Sequence, residues 1–112
     1  MCKVHIFRIK GVRFLKEVLR VTAVSSKNLK GQIEKNLFNH RRWIERAVDA
    51  GAQFVGFPEC SLTGYDLRPE LAIGLDSEPV RRLGHLARKH HIWVAAGLIE
   101  KKDSKRYNTQ VL

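Results

Sequence analysis

A layered α/β fold is what this sequence predicts, and three features predict it. Short apolar runs recur at Leu19 to Val24, Gln53 to Phe57 and Ile92 to Ile99. Between them lie segments whose apolar residues repeat at three- and four-residue spacing, the period of a half-buried helix. The first helix joins the second run through a short Gly51-Ala52 step. Strand, helix and strand linked in that way form the right-handed crossover from which parallel sheets are built.

The elements follow in order. Residues 1 to 18 alternate apolar and basic groups loosely and read as a basic extension, with a strand at Val4 to Ile9 or a helix at Phe14 to Leu19 both open. Residues 19 to 112 carry the α/β pattern. Leu19 to Val24 has strand character, with Ser25 and Ser26 as its polar end and a polar connection from Lys27 to Gly31. Ile33, Leu37, His40, Ile44 and Val48 form the stripe of a helix over 33–50, and Gly51 stands past its C-cap. Gln53 to Phe57 reads as a strand buried on both faces, ended by Pro58, which has no N–H to give to a ladder. Asp66 to Leu75 is a loop or short helical segment interrupted by Pro69 and Gly74.

Asp76 or Ser77 caps a second helix over 78–90, with Glu78 and Pro79 in its first turn and Val80, Leu83 and Ala87 facing inward. Arg88, Lys89, His90 and His91 suit the negative end of its dipole better than they suit a metal. Ile92 to Ile99 is a third strand, Glu100 to Arg106 a charged turn, and Tyr107 to Leu112 a fourth strand returning as a hairpin.

Composition narrows the function classes. A chain of 112 residues holds one domain with a modest core. Cys2 and Cys60 are too few for a disulfide framework or a four-cysteine metal site, so a reducing, cytoplasmic setting is the default. No run is long enough to span a membrane, and basic residues break every apolar run near the amino terminus, leaving no signal-peptide core. The formal charge of +10 raises the question of nucleic acid. The cations are spread over the extension, over Arg41, Arg42 and Arg46, over Arg81, Arg82, Arg88 and Lys89, and over Lys101 to Arg106, without interleaved aromatics, which argues against that partner. His40 sits in the apolar helix stripe without a second ligand at chelating spacing, so a partly buried histidine with a local hydrogen bond is expected and no metal is.

One stretch carries chemistry. In Phe54-Val55-Gly56-Phe57-Pro58-Glu59-Cys60-Ser61-Leu62-Thr63-Gly64-Tyr65 an apolar strand stops at a carboxylate. Glu59 therefore belongs at the carboxyl edge of the sheet, where open α/β sheets gather ligands. Phe57-Pro58-Glu59 followed by Leu62-Thr63-Gly64-Tyr65 resembles the nitrilase superfamily of carbon-nitrogen hydrolases, and the resemblance runs from about Leu19 to Leu112, including Tyr107-Asn108. It implies the amino-terminal part of a four-layer α-β-β-α sandwich and a Cys-Glu-Lys catalytic set in which Glu59 is the general base. The family's lysine and nucleophilic cysteine fall beyond the last residue of this sequence, so the chain alone is expected to be inactive. The serines at 25 and 26 stand where the family usually has a glutamine.

The resemblance further implies a small-molecule amide or nitrile substrate, no cofactor, a homo-oligomer for the full-length enzyme, and a place for Tyr65 in the substrate pocket. Cys60 adjoins the base, but alternation along an extended segment would turn its sulfur away from Glu59, and a small buried residue is expected there. The alternative is a small basic α/β module that binds a partner, nucleic acid being one candidate, without catalysis.

Overall fold

The computed structural model describes residues 19–112, so the readings for residues 1 to 18 lie outside it. Four strands and two helices follow in the order β1 (Val21–Ala23), α1 (Ile33–Asp49), β2 (Phe54–Gly56), α2 (Glu78–Lys89), β3 (Trp93–Lys102) and β4 (Lys105–Val111), with a 3-10 turn at Pro69–Leu71 before α2. The strands make one sheet in the order β1-β2-β3-β4. The first two pairings are parallel and the third is antiparallel. Each parallel step is bridged by one helix, as the alternation of apolar runs and helical stripes requires.

Both helices pack on the same face. Leu37, Ile44 and Ala47 of α1 and Leu83 of α2 share a core with Val55 of β2 and with Val94, Ala96 and Leu98 of β3. Each helix ends in the paired backbone bonds of a Schellman motif. Gly51 N–H donates to Val48 and Ala52 N–H to Ala47 after α1; His91 N–H donates to Arg88 and Ile92 N–H to Ala87 after α2. The left-handed residue that this motif needs is Gly51 in the first case and His91 in the second, at φ 74° and 52°. Ser77 is the N-cap residue of α2, but its side chain makes no capping hydrogen bond.

Two expectations are corrected. The middle strand is not buried on both faces: Val55 is fully buried, whereas Phe54 and Gly56 are half-buried. They belong to a sheet face on which Val21 and Trp93 flank Phe54 in register, 58% and 54% exposed. Further along β3 that face is closed by a second, smaller cluster of Cys60, Ala72 and Ile99. The charged segment over 100–106 is also mostly strand. Lys101 pairs with Arg106 and Lys102 with Lys105, leaving Asp103 and Ser104 as the turn, both at positive φ. That two-residue geometry matches the twist of a hairpin, and exposed hairpin faces tolerate charge freely.

Candidate active site

Past Gly56 the chain leaves β2 but does not leave β3. Phe57 N–H still reaches the Ala95 carbonyl at 2.8 Å; Pro58 then has no N–H, and the backbone turns. Ser61 N–H closes on the Pro58 carbonyl and Gly64 N–H on that of Cys60. Turning away would orphan the N–H groups of Gly97 and Ile99, and buried backbone donors are seldom left unpaired. Two hydroxyls replace the missing strand. Ser61 Oγ accepts from Gly97 N–H at 3.1 Å and Thr63 Oγ1 from Ile99 N–H at 3.0 Å, while Leu62 N–H donates to the Gly97 carbonyl at 2.8 Å. Segment 57–64 is thus a strap bonded to β3, with Cys60, Ser61, Leu62 and Thr63 all 1% exposed or less.

Two helix residues hold the strap from the opposite side. Asn36 donates to the carbonyls of Leu29 and Leu62 at 2.8 and 3.0 Å and accepts from Leu29 N–H. His40, 2% exposed, donates through Nδ1 to the Asn36 carbonyl at 2.7 Å and accepts through Nε2 from Ser61 Oγ at 2.9 Å. Its ring lies 4.1 Å from that of Phe57, centroid to centroid. Burial pushes the imidazole below its ordinary pKa, and the bond to Asn36 offsets part of that shift. The expected buried histidine with a local hydrogen bond is present, and no group of three potential metal ligands occurs among the described residues.

Close approach makes glycine necessary at two points. A Cβ on Gly97 would stand 2.3 Å from the Cys60 amide nitrogen, and one on Gly64 would stand 2.6 Å from Lys30 Cα. The first contact lets the Glu59-Cys60 peptide lie flat on β3. The second seats the strap against the loop after β1, where Gly31 N–H bonds to the Thr63 carbonyl.

Glu59 emerges from this strap just beyond the carboxyl end of β2, as expected of a strand-end acid. Its side chain is exposed, and among the described residues only Asn108 of β4 hydrogen-bonds to it. Asn108 donates from Nδ2 to Glu59 Oε1, and Cys60 Sγ donates to Asn108 Oδ1 at 3.7 Å. The Cys60 sulfur therefore does not turn away from the site, because the segment is not extended: Cys60 has φ 51° in a turn. Its unsuitability as a nucleophile has another ground. The thiol is buried, and burial together with the Glu59 charge pushes its pKa up to about 11, so it stays protonated. Tyr65 is 59% exposed and makes no hydrogen bond among the described residues. The loop that follows it is closed by the Arg68 guanidinium, which bonds both carboxylate oxygens of Asp66.

Strand-end acid, strap and crossover sheet together define a class. The carbon-nitrogen hydrolase family profile matches residues 20–112, and the chain belongs to that family. It is 34% identical over 106 residues to the omega-amidase NIT2 of Xenopus tropicalis, covering 92% of this chain and 34% of that protein. Nitrilase 1 of Arabidopsis thaliana is 30% identical over 112 aligned residues, 81% of this chain and 32% of the relative. The crystal structure of the Caenorhabditis elegans NitFhit protein superposes with a TM-score of 0.66 at 31% identity, over 80% of this chain and 23% of that one. The fold is nitrilase-like, and the chain spans about a third of the length of the amidase and nitrilase relatives.

Proposed function

We propose that this chain supplies the general base of a carbon-nitrogen hydrolase that cleaves an amide-like small molecule through a cysteine thioester, and that Glu59 is that base. The observation that carries the reading is the placement of Glu59: a carboxylate past the end of a parallel strand, on a turn tied to the next strand by Ser61, Leu62 and Thr63. Such a base is useful only if its backbone does not drift, because proton transfer needs hydrogen-bond reach. The strap meets that need.

In the proposed reaction a cysteine thiol gives its proton to Glu59 and the thiolate attacks the substrate carbonyl carbon. A lysine stabilises the oxyanion that forms. Collapse breaks the C–N bond, and the departing nitrogen takes the proton from Glu59 to leave as ammonia. Water then attacks the thioester, gives a proton to Glu59, and the acid leaves as the thiol is restored. The lysine and the nucleophile are not residues of this chain as the resemblance maps them, and Cys60 does not replace the latter, since its thiol is buried and protonated. Tyr65, exposed and unbonded, is proposed as a wall of the substrate pocket. An amide is preferred over a nitrile because the relative with the broadest coverage of this chain named above is an amidase.

The test is a chimera in which residues 20–112 replace the matching third of the Xenopus amidase, which provides the remaining two-thirds of the fold. Ammonia release from a panel of simple amides, carbamoyl compounds and nitriles is expected, highest on amides. A folded chimera that releases none would refute the proposal.

A further inference from the structure

The geometry points to Asn108 as the residue that positions the Glu59 carboxylate, with Cys60 fixing which way the Asn108 amide faces. The inference rests on the reading of Glu59 as general base and adds what holds that base in register. An amide side chain has a donor end and an acceptor end of nearly the same shape, and its neighbours decide which end goes where. Here the neighbours differ in kind. Cys60 Sγ lies 3.7 Å from Oδ1, and Glu59 Oε1 receives the bond from Nδ2. A protonated thiol beside Oδ1 can donate to it, whereas a carboxylate can only accept. Reversing the amide would set Oδ1 against a carboxylate oxygen and Nδ2 against an S–H, so one direction alone satisfies all three groups. Because burial and the Glu59 charge push the thiol up to about 11, Cys60 remains a donor at neutral pH.

The placement of the three residues supports a built arrangement. Asn108 stands on β4 in register with Ile99, which fixes its backbone to the sheet. Cys60 is 1% exposed beside Ile99 and Ala72, and the Glu59-Cys60 peptide rests on Gly97. The flexible member is Glu59, whose side chain is exposed. Asn108 occupies Oε1, and Oε2 has no partner among the described residues, which leaves it as the oxygen that takes the proton. In this reading Asn108 is a positioning residue that acts through Glu59.

Side-chain amide NMR of the 112-residue chain, labelled on asparagine nitrogen, tests this directly. The Asn108 amide pair, identified by its loss in Asn108→Leu, is expected to lie downfield and to move on Glu59→Gln. Cys60→Ser keeps a donor and should preserve that signature; Cys60→Val removes it and should broaden or double the resonance. An Asn108 signal indifferent to Glu59→Gln, or disturbed equally by Ser and Val at position 60, would overturn the inference. In the chimera, Asn108→Leu should lower kcat at least tenfold with KM nearly unchanged, the pattern of a misplaced base. Unchanged kcat there would also overturn it. A parent chimera with no turnover would count against Glu59 as a base while leaving the amide signature to decide the role of Asn108.

Discussion

Gly97 has a consequence out of proportion to its size. The strap that carries Glu59 lies against the sheet because this strand residue has no side chain, and a methyl group there would meet the Cys60 nitrogen at 2.3 Å and the Glu59 carbonyl carbon at 2.9 Å. Backbone cannot rotate away as a side-chain tip can. Gly97→Ala is therefore expected to cost about 1–3 kcal/mol, the range for overpacking, and to lift Glu59 from its place. Urea unfolding measures the first effect. His40 carries a second residue-scale prediction. Its folded pKa is lowered from 6.5 by burial, so below that value the unfolded chain binds a proton that the native state refuses. Stability should be level above about pH 6.5, fall by at most ~1.4 kcal/mol per pH unit below it, and stop falling from this source once the native ring protonates. The urea midpoint followed from about pH 8 to about pH 5, against His40→Gln, checks both sign and window; a midpoint that rises on acidification would contradict the burial argument.

At the scale of elements, the strap is a strand replaced by side chains. Ser61 serves two partners at once, accepting from Gly97 N–H and donating to His40 Nε2. Ser61→Ala leaves both buried and unpaired, with an expected cost of about 1–3 kcal/mol for each group left so. A loss under about 0.5 kcal/mol in chemical denaturation would mean that water or a rearranged strap satisfies them. None of this was legible beforehand. The crossovers were, because apolar spacing reports burial directly and Gly51 reports a helix end. Hydroxyl partners 36 residues away leave no local trace, and Asn108 reaches Glu59 across 49 residues. The Asp103-Ser104 turn escaped for a different reason: the charges beside it suggested a loop, while both strand faces there are open to water and accept charge.

For the whole molecule, the order of strands sets the order of stability. Among the described residues β2 and β3 each have a strand on both sides and Val55, Ala96 and Leu98 are fully buried, whereas β1 is three residues long, has a strand on one side and is largely exposed. Edge elements with few buried contacts open first. Hydrogen exchange should therefore be slowest at Val55, Ala96 and Leu98, and much faster in β1; equal protection would require a cover on the β1 edge. The strand-end glutamate was legible from Phe57-Pro58-Glu59 and Leu62 to Tyr65. Its exposure was not, since exposure depends on what covers an edge and no spacing encodes that.

Glu59, and not the adjacent thiol, is proposed to take the proton. The most direct measurement is ammonia release by the chimera carrying Glu59→Gln beside one carrying Cys60→Ala. Glutamine keeps the shape but cannot take a proton, so turnover should fall by about 10²- to 10⁴-fold, the range of a lost general base. The alanine variant should retain a nucleophile elsewhere and turn over, slowed only as far as loss of the Asn108 anchor displaces Glu59. Turnover spared by Glu59→Gln and abolished by Cys60→Ala would contradict the account.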